Sequence, residues 1–242
     1  MRTGVVLPSF RRTAEDALEV AHEAEQVGVD GVFCYDHLWP MGQPERPALA
    51  PFPVLAAVAR RTRRLWLGPL VARVGIVADE VLLSQFGALE ALAPGRVIGG
   101  LGTGDRLSHA ENEAYGVPAG SAADRRAAMG HCASVLRSRG VPVWIGGGSA
   151  RTRAVAEATG SAVNLWSADP AAVAEQGRRT EVTWGGPTAA AWDAGAGPDA
   201  RREGLARLLG RLDEAGASWA VFAWPVPLAL LVECAGRLAG GR

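Results

Sequence analysis

Short β-branched runs alternate with Ala- and Leu-rich segments of helical period from one end of the chain to the other. Residues 4–8 read as a strand. Thr13, with Asp16 at the capping-box spacing, opens a helix whose apolar face is Ala17, Leu18, Ala21, Ala24 and Val27, and Gly28 stops it. The same unit recurs, with strands over 31–35, 65–71, 97–101, 142–145, 162–166, 180–184 and 219–224. Helices are predicted over 52–62, 79–93, 123–139, 150–159, 199–215 and 228–238, with another opened by Asp169-Pro170. Alternation of this kind demands parallel strands, and eight repeats in a chain of 242 residues fit a closed (β/α)8 TIM barrel, compact and forming a single domain over 1–242. An open doubly wound sheet is the alternative, because strand order is not written in the sequence.

Three stretches, 38–51, 102–122 and 185–198, exceed ordinary connection lengths and read as irregular. All follow strands, so on a barrel they lie at the carboxyl rim, where this fold carries its sites.

Composition narrows the choice. Hydrophobic residues make up 48% and charged residues 21%, enough apolar material for a substantial core. Twenty-five basic residues balance twenty-five acidic ones, which argues against a nucleic-acid partner. Every basic residue is Arg, so a P-loop lysine, a Schiff-base lysine and a Ser-Lys pair are all excluded. Cys34, Cys132 and Cys234 are far apart and lack metal-ligand spacing, so neither a metal site nor a disulfide framework is expected, and a cytoplasmic location follows. No apolar run approaches the roughly 20 residues that span a bilayer, so no membrane partner is expected.

Three polar signals fall at predicted strand ends. Asp36-His37, followed by Leu38-Trp39, sets a carboxylate and a titratable imidazole at the mouth; the plainer reading is an aspartate capping backbone amides beside an exposed histidine. Gly99-Gly100-Leu101-Gly102-Thr103-Gly104-Asp105 lets backbone pass close to a flat ligand and projects a carboxylate, or else is a glycine turn. A long loop follows it instead of a helix, which sets aside a dinucleotide fingerprint. Ile145-Gly146-Gly147-Gly148-Ser149-Ala150-Arg151 runs from strand into helix, where free amides and the helix dipole bind phosphate; an ordinary Ser N-cap is the alternative. The run of arginines between 60 and 64 reads as a solvated helix end.

Together, residues 24–39 (AEQVGVDGVFCYDHLW), 53–71 (PVLAAVARRTRRLWLGPLV), 89–105 (LEALAPGRVIGGLGTGD) and 141–163 (VPVWIGGGSARTRAVAEATGSAV) resemble the bacterial luciferase-like superfamily, whose members bind reduced FMN or the deazaflavin F420. The Asp-His pair and the Gly-Thr-Gly-acid turn are most similar to its F420-dependent branch. The resemblance implies that Asp36 bonds the deazaflavin edge, that His37 and Asp105 are the catalytic acid-base groups and that Trp39 shapes the substrate side. It further implies that Leu70 and Val71 form a strand-three bulge, joined by a cis peptide, that backs the ring. Gly102, Thr103 and Gly104 would line the cofactor, and Gly147, Gly148 and Ser149 would hold its phosphate. The expected activity is hydride transfer between F420 and a small organic substrate, by a homodimer joined through its second and third helices. Alternatives are an FMN-dependent monooxygenase and a non-catalytic flavin- or deazaflavin-binding protein. Family members carry longer inserts over the substrate, so a thin roof is expected here.

Overall fold

The computed structural model describes residues 1–40, 42–104, 108–117 and 120–240. Strands β1 (Arg2–Val6), β2 (Gly31–Cys34), β3 (Trp66–Pro69), β4 (Ala72–Arg73), β5 (Gly99–Gly102), β6 (Val143–Gly146), β7 (Ala162–Trp166), β8 (Val182–Gly186) and β9 (Ala217–Ala223) are all parallel to their neighbours. Their order is β3-β2-β1-β9-β8-β7-β6-β5-β4. β3 falls within the strand predicted over 65–71 and β4 lies just beyond it; the two form one broken strand position, and since Leu67 also bridges Val97, the sheet closes on itself. The result is a TIM barrel of eight strand positions, one of them broken at Leu70-Val71, whose peptide bond is cis. A second cis bond joins Trp224 to Pro225.

Helices α1 (Glu15–Val27), α2 (Pro51–Arg61), α3 (Asp79–Leu92), α4 (His109–Ala114), α5 (Ala122–Ser138), α6 (Ala150–Thr159), α7 (Pro170–Gly177), α8 (Pro198–Glu214) and α9 (Leu228–Gly240) connect the strands. The period-two alternation of the strands divides the apolar residues into two cores. Val5, Val32, Cys34, Val143 and Ile145 face the helices, whereas Val6, Phe33, Trp144, Trp219 and Val221 fill the barrel. Phe33 stacks on Trp144 at 5.1 Å and meets Trp219 edge-on at 5.9 Å, so large rings occupy the lower interior.

Two local expectations are corrected. Thr13 and Asp16 form no capping box: Ala14 is the N-cap of α1, and Asp16 Oδ2 instead accepts from Arg11 Nε at 2.9 Å. The guanidinium draws that carboxylate away from the helix end. The stretch 102–122 is not wholly irregular, because α4 forms inside it and is the shortest of these helices. Gly28 does end α1, with φ of +94° in the left-handed region.

Candidate active site at the carboxyl end of the barrel

A cleft of about 630 Å³ opens where the strands end. Its lining includes Asp36, His37, Leu70, Val71, Gly102, Thr103, Gly104, Gly147, Gly148 and Ser149, drawn from four separate strand ends. Asp105 lies outside the described residues. Trp39 is not among the lining; it is 8% exposed and packs on Tyr115 at 5.8 Å. Aromatic surface comes instead from Phe10, Tyr35 and Trp166, of which Phe10 and Tyr35 stack at 5.7 Å and Trp166 is 45% exposed.

The centre of the polar side is a residue that sequence reasoning missed. Glu111, from α4, is fully buried. Its Oε1 meets His37 Nδ1 at 2.8 Å, while its Oε2 accepts from the Leu38 amide at 2.8 Å and from Arg73 Nη2 at 3.0 Å. A carboxylate has only acceptors, so the hydrogen between Glu111 and His37 belongs to Nδ1, and Nε2 is the ring nitrogen left for another partner. The imidazole ring is also held by the rings of Phe10 and Tyr35, at 6.4 and 6.2 Å. Glu111 therefore fixes both the tautomer and the aim of His37.

Arg73 is the second missed residue. It is 5% exposed, with Nη2 on Glu111 and Nη1 donating to Asn112 Oδ1 at 3.3 Å. Its own amide donates to Asp36 Oδ2 at 2.7 Å. Burial pushes the Asp36 carboxyl above its ordinary value, opposed by that amide and by the charges of Arg73 and His37. The sequence did hold a signal for Arg73: a cation inside the apolar run LWLGPLVARVGIV must be paired if it is buried. Glu111 gave none, because its neighbours are polar and its burial depends on groups far away in the chain.

The glycines have two different uses. A Cβ at Gly102 would come within 2.5 Å of Val71 Cγ2 and one at Gly146 within 2.8 Å, so these residues leave space for the bulge of the broken strand. Gly147, at φ +123°, turns the chain into α6. Ser149 is the N-cap of α6: its Oγ accepts from the Thr152 amide at 3.1 Å and meets Thr152 Oγ1 at 2.7 Å. That hydroxyl is engaged, and the donors left toward the cleft are first-turn backbone amides at the positive end of the helix.

A parallel barrel with a polar, ring-lined cleft at its carboxyl mouth belongs to the class of folds that bind organic ligands there. Residues 1–138 match the family model of luciferase-like monooxygenases, and the chain belongs to that family. It is 38% identical over 117 residues to an F420-dependent glucose-6-phosphate dehydrogenase of Intrasporangium calvum. The match covers 47% of this chain and only 34% of that relative's length. Among solved structures, an F420-dependent secondary alcohol dehydrogenase bound to an F420-acetone adduct superposes with a TM-score of 0.73 at 16% identity, covering 96% of this chain and 97% of the other. A monooxygenase of Streptomyces bottropensis superposes with a TM-score of 0.67 at 15% identity over 99% and 98% of the two chains. At such identities the likeness speaks for the fold alone.

Proposed function

We propose that the protein is an F420-dependent oxidoreductase acting on a small organic molecule. The observation that carries this reading is the buried Glu111 carboxylate that aims His37 into a cleft of cofactor size. The residues present fit a deazaflavin. Arg73 Nε is buried and has no hydrogen-bond partner among the described residues, which suits a ring carbonyl or an anionic ring nitrogen. Asp36 stands beside it for a ring N–H, Leu70 and Val71 offer an apolar backing, and the Gly147, Gly148 and Ser149 turn with the α6 amides suits a phosphate.

Bound there, F420 supplies a two-electron hydride acceptor or donor. His37 Nε2 takes up or returns the proton that moves on the substrate in the same step, and Glu111 stabilises the imidazolium that results. Asp105 is proposed as a further acid-base group. The curated relatives favour F420 over FMN, and titration of both cofactors into the apoprotein by fluorescence tests this. Tighter F420 binding is expected; a clear preference for FMN would move the assignment to a flavin monooxygenase, and binding without turnover of any screened substrate would make it a cofactor holder. Ser149→Asp should weaken F420 binding by placing a like charge beside its phosphate.

A homodimer in the cytoplasm completes the proposal. Val81 and Leu92 on α3 are exposed at 48% and 36%, which supports an apolar contact through the α2-α3 side. Light scattering showing only a monomer at micromolar concentration would refute it. All three cysteines are free and buried, and burial pushes the Cys34 and Cys132 thiols up to about 12, so they remain protonated and unreactive. No helix among the described residues is long and apolar enough to cross a membrane.

A further inference from the structure

A second cavity of about 290 Å³ lies beside the cleft, where β1 and β9 end. Val6, Leu7, Pro8, Trp224 and Pro225 give it apolar walls. Phe10 and Tyr35 line both spaces, so their stacked rings are the partition between them. Three polar residues complete the lining: Ser9, Arg11 and Arg46.

Two observations bear on what this cavity could hold. Ser9 is 2% exposed, yet its hydroxyl has no hydrogen-bond partner among the described residues. Its backbone is held, since the Ser9 carbonyl accepts from the Leu49 amide at 2.8 Å, so the side chain is presented on a fixed segment. A buried hydroxyl without a partner carries a desolvation cost that a ligand acceptor or donor would relieve. The charge balance is the second observation. Arg11 Nη1 and Arg46 Nη2 both donate to the Phe10 carbonyl, at 3.1 and 3.5 Å, which brings two guanidinium groups to one point. Asp16 pairs with Arg11, but Arg46 has only Gln43 Oε1 and that carbonyl as partners and forms no ion pair among the described residues. No carboxylate side chain is among the residues lining the cavity.

We infer that this cavity is a substrate subsite for an organic acid with an apolar body, its carboxylate or phosphate held by Ser9, Arg11 and Arg46. The apolar body would lie against Trp224 and Pro225, and the reacting carbon would pass the Phe10-Tyr35 partition toward His37. A guanidinium matches either oxyanion by paired N–H donors, and Ser9 adds an O–H donor at the buried end. The inference deepens the proposed oxidoreductase reading by naming the substrate class.

Calorimetry on the cofactor-free protein tests it, with 4-phenylbutyrate, 4-phenylbutan-1-ol and phenyl phosphate as probes. An acid should bind at least tenfold more tightly than the alcohol, and the better of the two acids tells carboxylate from phosphate. Arg46→Ala and Ser9→Ala should each weaken the acid by about tenfold or more, the usual loss for a hydrogen bond to a charged group, and leave the alcohol unaffected. Arg46 is at the surface and the Ser9 hydroxyl has no partner to lose among the described residues, so neither change threatens folding. Equal binding of acid and alcohol, or full affinity in both variants, would overturn the subsite. F420 affinity of the same variants, read separately by fluorescence, should be unchanged. Acid binding without F420 binding would fail the oxidoreductase reading and keep the subsite, and the converse would do the opposite.

Discussion

The two ends of the barrel are built from opposite materials. At the amino end, Trp66, Trp144, Trp219 and Phe33 surround the interior, and Arg2 lies over the Trp66 and Trp219 rings at 5.3 and 5.6 Å. At the carboxyl end the same closed sheet holds Asp36, His37, Arg73 and Glu111 in one hydrogen-bonded cluster. The first end is stabilised by apolar burial and ring contacts, which need no particular protonation state. The second depends on every donor meeting an acceptor, because a buried charge without its partner costs several kcal/mol. Apolar packing and the polar cluster are thus divided along the barrel axis.

Emptying the lower end should have the largest effect on stability. Trp144→Ala is expected to lower the unfolding free energy by about 3–5 kcal/mol in a urea titration, leaving F420 affinity per folded molecule unchanged. A loss of affinity in step with stability would mean that the two ends are coupled. At the mouth the converse is expected. His37→Ala should lower turnover roughly 10²- to 10⁴-fold, in steady-state assays with any substrate found by screening, with a smaller loss of stability than Trp144→Ala because Glu111 keeps the Leu38 amide and Arg73 as donors. Asp105→Asn should fall in the same range if that carboxylate also exchanges a proton with the substrate.

Glu111→Gln sharpens the comparison because it affects both properties. Stability should drop by about 1.5–3 kcal/mol, because the three hydrogen bonds accepted by the carboxylate lose its charge and the donor-only amide NH2 of Gln must face one of the three donors. Turnover should also fall, and the His37→Ala, Glu111→Gln double variant should be no slower than His37→Ala alone, because Glu111 acts through the imidazole. Additive losses would show a separate role for the carboxylate.

The smallest effect concerns pH. The carboxyl of Asp36 titrates above its ordinary value of 3.8 in the folded chain, so between that value and the raised one the folded state binds more proton than the unfolded state. The stability it contributes is therefore present below 3.8 and declines as pH rises through the folded value. Asp36→Asn should remove that decline, making the difference in stability between variant and wild type shift in the variant's favour as pH rises through the window. A flat difference would mean that the amide of Arg73 already offsets the burial.

Much of the fold was legible because it rests on local rules. Period-two and period-3.6 apolar patterns, Gly28 and the Asp169-Pro170 helix start are read within a few residues, and alternation of the two patterns forces parallel strands. Asp36, His37 and the Gly147-Gly148-Ser149 turn could be placed at the mouth because strand ends of a barrel converge there, whereas the Leu70-Val71 bulge was expected only from the family resemblance. Tertiary structure alone decided the rest. Glu111 becomes the partner of His37 only when α4 folds over the mouth and closes a separation of 74 residues, a distance over which sequence spacing carries no information. It also carried Trp39 away from the cleft and onto Tyr115, because one apolar ring in a loop can pack on whichever neighbour the closed barrel presents.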